Sequence, residues 1–282
     1  MTGSISKNNR PIGVFDSGIG GLTVVKQIMA SLPNEQIIYF GDTARVPYGS
    51  KSNETVIEYS LQNSRFLISK DVKAIVVACN TASSIALPAL KQEFDIPVIG
   101  MIEPGAALAL KSTVNQKIGV IGTRVTVSNR AYSTEIQIRN TAAQVYEKAC
   151  PLFVPLAEEG WLDHEATELI AHDYLRELKE NEIDTLILGC THYPLLKQII
   201  QRAVGDEVQL IDSGVAAALT LMDEIGPENS SGVHAPPVHH FYVSDLPGRF
   251  KDTAERFLGR EIAALEKVEL DTLIRLHSTK QS

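Results

Sequence analysis

Ala74-Ile75-Val76-Val77-Ala78-Cys79-Asn80-Thr81-Ala82-Ser83 and Thr185-Leu186-Ile187-Leu188-Gly189-Cys190-Thr191-His192-Tyr193-Pro194 are two versions of one pattern. Each is an apolar, β-branched run that stops at a cysteine, passes a polar turn and continues with helical character. Such a run reads as a parallel strand buried on both faces that feeds a helix N-terminus. The pattern puts each thiol at the carboxyl end of a strand, where open α/β sheets bind their ligands. A thiol beside free helix N–H groups is expected to favour its thiolate.

Working outward, strand-and-helix alternation fills the chain. Ile12 to Phe15 read as a strand that enters a glycine-rich turn, with a helix to about Ser31. Gln36 to Phe40 form a second strand, ending in the polar loop Gly41 to Ser50, and helices follow over 53–69 and from Thr81 to Phe94. After a short strand at Ile96–Gly100 and a helix start at Glu103, the pattern restarts at Lys117-Ile118-Gly119-Val120-Ile121-Gly122. A helix from about His164 to Glu180 leads to the second cysteine strand. A helix around Leu195–Val204 and a strand from Val208 follow it. Gly13 and Gly119 lie 106 residues apart, Cys79 and Cys190 lie 111 apart, and Gly105 and Gly214 lie 109 apart. A repeat of that length is too long for a solenoid and fits two related α/β units. Gly226 to Val238 read as a linker, His239 to Asp245 as a strand, and Phe250 to Leu258 as a short amphipathic helix. No chemistry is assigned to that tail.

Composition narrows the function. A chain of 282 residues with 44% hydrophobic and 21% charged residues is an ordinary globular protein. The net charge of −8 and pI near 5.4 give no basic footprint for nucleic acid or an anionic membrane. Three cysteines cannot build a disulfide framework, so a reducing cytoplasm is the expected compartment. No apolar run approaches the ~18 residues of a spanning helix, and residues 1–10 read as a disordered leader.

A lone cysteine is most simply a small buried hydrophobe. Two at equivalent strand ends favour a paired function. The local ligand spacing of a zinc site is missing around them, and so is a C-x-x-C redox pair. Two thiols facing one cleft are suited to acid–base work: a thiolate takes a proton from one face of a carbon and a thiol returns one to the other, which inverts the centre. Asp16 either caps the Ser17–Gly21 turn or binds and orients substrate, the second being preferred, and Asp42 is a similar case. Glu158, beside Glu159-Gly160, reads as surface. His192 either packs, caps a helix or tunes Cys190. His164, His172, His239 and His240 read as solvated or structural, as does Cys150.

The chain resembles the glutamate racemases of the aspartate/glutamate racemase superfamily. Five motifs carry the resemblance: Phe-Asp-Ser-Gly-Ile-Gly-Gly-Leu (15–22), Gly-Asp-Thr-Ala-Arg-Val-Pro-Tyr-Gly (41–49), Ala-Cys-Asn-Thr-Ala-Ser (78–83), Val-Pro-Leu-Ala-Glu-Glu-Gly (154–160) and Leu-Gly-Cys-Thr-His-Tyr-Pro-Leu (188–195). The resemblance implies cofactor-independent interconversion of L- and D-glutamate that supplies D-glutamate for peptidoglycan. Cys79 is then the base toward D-glutamate and Cys190 the base toward L-glutamate, with Asp16, Glu158 and His192 as auxiliary acid–base residues. Asp16, Ser17, Asp42, Tyr48, Gly49, Asn80, Thr81, Thr123, Thr191 and His192 are the implied substrate contacts. The implied fold is α/β: two pseudo-symmetric domains with largely parallel sheets facing across a central cleft, residues 1–98 with 211–282 and residues 99–210. No metal, PLP or flavin is expected, nor any nucleic-acid or membrane partner, and the implied assembly is a homodimer. The stretch before Pro11 is short, so control by a nucleotide precursor through an N-terminal extension is not expected. Racemisation of another amino acid such as aspartate, and a binding protein without turnover, are the alternative readings.

Overall fold

The computed structural model describes residues 8–229, 236–246, 250–262 and 264–278. The first seven residues of the expected leader, and residues 230–235 of the expected linker, lie outside the described residues. Residues 8–10 are held in place rather than free: Lys73 Nζ donates to Asn8 O at 2.9 Å, and Arg10 N donates to Asn8 Oδ1 at 3.2 Å.

In chain order the elements are β1 (Ile12–Asp16), α1 (Leu22–Ser31), β2 (Ile37–Gly41), α2 (Asn53–Ile68), β3 (Ala74–Val77), α3 (Asn80–Glu93), β4 (Val98–Ile99) and α4 (Ile102–Ser112). Next come β5 (Lys117–Gly122), α5 (Arg124–Ser128), α6 (Ala131–Arg139), β6 (Gln144–Ala149), α7 (Phe153–Glu158), α8 (Glu165–Glu180), β7 (Thr185–Gly189), α9 (Lys197–Val204), β8 (Gln209–Asp212) and α10 (Ser213–Asn229). The tail adds β9 (His240–Val243), α11 (Phe250–Leu258), β10 (Leu265–Lys267) and α12 (Leu270–Ser278). The last two were not expected from sequence.

Two sheets result, ordered β10-β9-β2-β1-β3-β4 and β6-β5-β7-β8, with every pairing parallel. Aligned from β1 and β5, the two share one order, second-first-third-fourth, and β9 and β10 extend the first sheet beyond β2. The repeat read from residue spacing is therefore a repeat of topology, with the cysteine strands β3 and β7 in the same place. The strands of both cores are apolar because helices cover both faces: β1, β3 and β7 are buried along their whole length. Gly13 and Gly119 are equivalent for a packing reason. A Cβ on Gly13 would lie 3.1 Å from Val72, and one on Gly119 would lie 2.5 Å from Ile183. Val72 and Ile183 are the residues two places before the cysteine strands, so each glycine lets the segment entering the thiol strand close on its neighbour.

Helix boundaries follow local chemistry. Ser52 caps α2, accepting from Thr55 N at 3.3 Å, and Thr123 caps α5, accepting from Thr126 N at 3.2 Å. His164 caps α8 through Nδ1, which accepts from Ala166 N at 3.1 Å, a structural role as expected. The α8 helix is charged on its outer face and buries Thr167, Ala171, Leu175 and Leu178, one residue per turn. The chain passes from the first sheet to the second between β4 and β5 through α4, and returns between β8 and β9 through α10.

Candidate active site

The two thiols meet at one cavity of about 70 Å³, lined by residues from both halves. By the measure in which one water needs about 10–15 Å³, this admits a small molecule. From the first half come Ser17, Gly18 and Ile19 of the glycine turn, Val46 to Gly49 of the second-strand loop, and Cys79, Asn80 and Thr81 at the start of α3. From the second half come Thr123, Val154, Glu158, Cys190, Thr191 and His192. Both thiols are 6% exposed and unpaired by disulfide.

Cys79 is itself the N-cap of α3. Its Sγ accepts from Ala82 N at 3.5 Å and donates to Ser17 Oγ at 3.5 Å. The helix N-terminus acts on this thiol as expected, through the Ala82 N–H, but burial outweighs it. Burial pushes the Cys79 thiol up to about 12, helped by the nearby Asp16 charge and outweighing the hydrogen bonds from Ala82 and Ser17. Cys190 has a different surrounding: Thr191 and His192 lead into a 3-10 turn at Tyr193–Leu196 before α9 starts. Its sulfur lies 3.9 Å from His192 Nδ1.

His192 is the hinge of a relay. Its Nε2 is 2.9 Å from Glu158 Oε1, 34 residues away in the chain. Burial pulls the imidazole down, yet the hydrogen bonds to Cys190 and Glu158 raise it to about 10, so the ring carries its proton at neutral pH. Glu158, which reads as surface in the sequence, is half-buried and faces the cavity. A proton donor thus stands beside Cys190 with a carboxylate behind it.

Thr81, Thr123 and Thr126 form a triangle of hydroxyls, with Thr81–Thr123 at 3.0 Å, Thr123–Thr126 at 3.0 Å and Thr81–Thr126 at 3.2 Å, tying α3 to α5 across the halves. Asn80 is fixed from the second half by Tyr132 Oη, which donates to its Oδ1 at 2.6 Å. Thr23 Oγ1 of α1 donates to Thr191 O at 2.8 Å. These side-chain bonds hold the cavity closed.

Two sequence candidates do not reach the cavity. Asp42 is fully buried behind it, where its carboxylate takes Arg45 Nε at 2.7 and 2.9 Å, Ser244 Oγ at 2.9 Å and the Tyr48 hydroxyl. It holds the Tyr48–Gly49 loop from below. Tyr48 lines the cavity, but its hydroxyl is committed to Asp42 and to Asn63 Nδ2, which donates at 3.0 Å. Asp16 lies under the glycine turn. Its Oδ2 accepts from Gly18 N at 3.0 Å, and Oδ1 is buried without a hydrogen bond among the described residues. Burial raises its carboxyl above the usual range, against the pull of His192 and the N–H groups of Gly21, Gly18 and Ser17. The capping reading of Asp16 is thus what the geometry places directly. Cys150 is buried away from the cavity, with Sγ 3.7 Å from Lys148 O. Ile19, Val46 and Val154 are cavity walls that the sequence marks only as members of the motifs, since apolar residues carry no signal separating wall from core.

The Asp/Glu/Hydantoin racemase family model matches residues 12–221, which carries the glycine turn, both cysteine strands and the relay. The chain belongs to that family. Its relatives include the glutamate racemase of Geobacter metallireducens, 50% identical over 263 residues that span 93% of this chain and 97% of the relative. The glutamate racemase of Francisella tularensis, solved in complex with D-glutamate, superposes with a TM-score of 0.88 at 44% identity, covering 94% of this chain and 99% of that one. A glutamate racemase isoform from Bacillus anthracis gives a TM-score of 0.89 at 39% identity, over 93% and 98% of the two chains. The racemase-family chain is an isomerase, and its relatives are of the kind that the five motifs resemble. No helix among its described residues is long and apolar enough to cross a membrane.

Proposed function

We propose that the chain interconverts L- and D-glutamate by direct proton transfer between Cα and the two thiols, supplying D-glutamate for peptidoglycan. The observation that carries this reading is the shared cavity into which the equivalent strand ends of two sheets each deliver one cysteine. Two acid–base groups on separate walls let a proton leave one face of Cα while another arrives at the opposite face. Positioning both in one closed site removes the entropy cost of assembling them, and each transfer contributes about 10²–10⁴-fold by general acid–base catalysis.

Cys79 carries its proton in the resting site, the form that delivers a proton to Cα and makes D-glutamate. Cys190 takes the proton from L-glutamate, with the protonated His192 donating toward its sulfur and Glu158 orienting the ring. Asp16 acts on Cys79 through the field of its buried carboxyl. Ser17, Asn80, Thr81, Thr123 and Thr191, with the backbone at Tyr48–Gly49, hold the substrate's charged groups, and the N-terminus of α3 faces a carboxylate favourably. Asp42 serves the site by fixing the Tyr48 loop. The two domains facing across the cleft are residues 1–98 with 211–282 and residues 99–210, bounds that fall inside β4 and β8. The reaction is cofactor-independent, it takes place in the cytoplasm, and a homodimer is the assembly that the motif resemblance implies.

The test is circular dichroism of L-glutamate incubated with purified protein that has been dialysed against chelator. The signal is expected to decay to zero as the mixture reaches equal amounts of the two enantiomers. In D2O the product is expected to carry deuterium at Cα. A flat dichroism trace, a preference for aspartate in a parallel rate panel, or product without deuterium would each overturn the reading.

Gly20 supplies a second check. A Cβ there would lie 2.2 Å from Thr191 Oγ1 and 2.5 Å from His192 Nδ1. Gly20→Ala must push the Cys190 loop away, a strain of about 1–3 kcal/mol. Its racemisation kcat/KM is expected to fall by about tenfold or more, since a 1 Å misplacement can cost ~10²-fold. Kinetics measured beside a thermal melt separate this from loss of fold.

A further inference from the structure

The sequence assigns no chemistry to the tail helix α11, yet it touches the relay at two points. Phe257 is 1% exposed, and its ring meets His192 edge-on, with centroids 5.2 Å apart and planes at 81°. One residue earlier, Arg256 Nη1 donates to the backbone carbonyl of Glu158 at 3.1 Å. The guanidinium also lies across Gly160, where a Cβ would stand 2.5 Å from Nη1; Gly160 has φ +77°, so no other residue fits there without strain.

These contacts cross the cleft. The α11 helix follows β9 of the first sheet and packs against α1, whereas Glu158 ends α7 and His192 follows β7, both in the second half. Between α11 and α7 lies an outer cavity of about 610 Å³ that shares Gly18, Ile19, Val46 and Glu158 with the thiol cavity but contains neither thiol. The helix therefore stands at the mouth of the site as well as against the relay.

We propose that Arg256 and Phe257 are positioning residues that complete the Glu158–His192–Cys190 relay from the opposite half of the molecule. The inference rests on the racemase reading above. Phe257 fixes the tilt of the imidazole, so that Nδ1 faces Cys190 while Nε2 faces Glu158. Arg256 anchors the end of α7, so that the Glu158 carboxylate stays within reach of Nε2. The relay is thereby assembled only when the first half is closed on the second, and chemistry on the Cys190 side is tied to closure of the site.

The experiment is a double-mutant cycle on glutamate racemisation, with Phe257→Leu and Arg256→Ala each made in the wild-type and in the His192→Asn background. In the wild-type background each is expected to lower kcat by about fivefold or more, with KM within a factor of two, and Arg256→Lys is expected to recover most of the Arg256→Ala loss. In the His192→Asn background each is expected to cost less than twofold, because the group they position is gone. Equal losses in both backgrounds would show a merely structural role and overturn the proposal, as would full activity in the wild-type background. The two variants touch the relay independently, so a failure of one to fold leaves the other as the test. Absence of racemisation by the wild-type protein would be a failure of the racemase reading itself and is told apart at the first assay.

Discussion

Cys79→Ser is expected to abolish measurable racemisation of glutamate, and Cys190→Ser to do so independently. The reason is that each thiol serves one face of Cα, so neither can stand in for the other. A serine hydroxyl at either place is too weak an acid to give up its proton, and its conjugate base is too costly to form inside a closed cavity. Each substitution removes one general acid–base partner, a loss on the order of 10²–10⁴-fold. The fold should survive, because the smaller oxygen occupies the sulfur's space and keeps its neighbours: at position 79 Ala82 N still has an acceptor and Ser17 Oγ still has a donor. Stopped racemisation with an unchanged thermal midpoint is the expected pair of results. A single variant that retains a tenth of the activity would point to one swinging base and remove the two-thiol mechanism.

The largest effect on stability is expected at Asp42. Its carboxylate is fully buried, and it is the counter-charge of Arg45, whose side chain is only 10% exposed. Arg45 is further held by Gln62 and by Asn63 Oδ1 at 3.0 Å, and its guanidinium lies 4.0 Å from the ring centroid of Tyr59. Only about a tenth of its side chain reaches water. Asp42→Ala leaves this cation and the Tyr48 hydroxyl without their acceptor, and breaking a buried pair in this way costs about 3–5 kcal/mol. Urea unfolding is expected to show that loss. The same variant is expected to raise KM more than it lowers kcat, since Tyr48 and Gly49 lose their support while both thiols stay in place. A change below ~1 kcal/mol would mean that the network is not what holds the loop.

Both results lean on features that the sequence shows unequally. The cysteine strands are legible because an apolar β-branched run buried on both faces has few other places to go, and because a cysteine followed by Asn-Thr or Thr-His ends it abruptly. The shared topology of the two halves is legible only in part. Gly13 and Gly119 mark equivalent strands, but β6, the counterpart of β2 in the second sheet, is Gln-Val-Tyr-Glu-Lys-Ala at a partly exposed edge and carries no alternation. β10 and α12 are short, and the burial of Leu273 against the α2 side of the first sheet is a tertiary fact. Asp42 and Glu158 show the same limit at the site. Both are acidic residues in polar, glycine-bearing stretches, yet one turns inward to an arginine and the other reaches His192 across 34 residues. The state of Cys79 is a contest between a helix N-terminus and burial, and a sequence shows the first while hiding the second.

The repeat of topology is not a repeat of environment, and this has a thermodynamic consequence. Cys79 caps a helix and faces Ser17, while Cys190 precedes a 3-10 turn and faces an imidazolium backed by a carboxylate. Mirror-image substrates in water have equal free energy, so their equilibrium constant is one whatever catalyst joins them. Under the proposed reaction, kcat/KM must therefore be identical in the two directions. The unlike walls around the thiols can act only on kcat and KM together, tightening one enantiomer's hold and slowing its departure by the same factor. The asymmetry of the protein thus sets which enantiomer occupies the closed site at saturation, and it leaves the balance of the two in solution untouched.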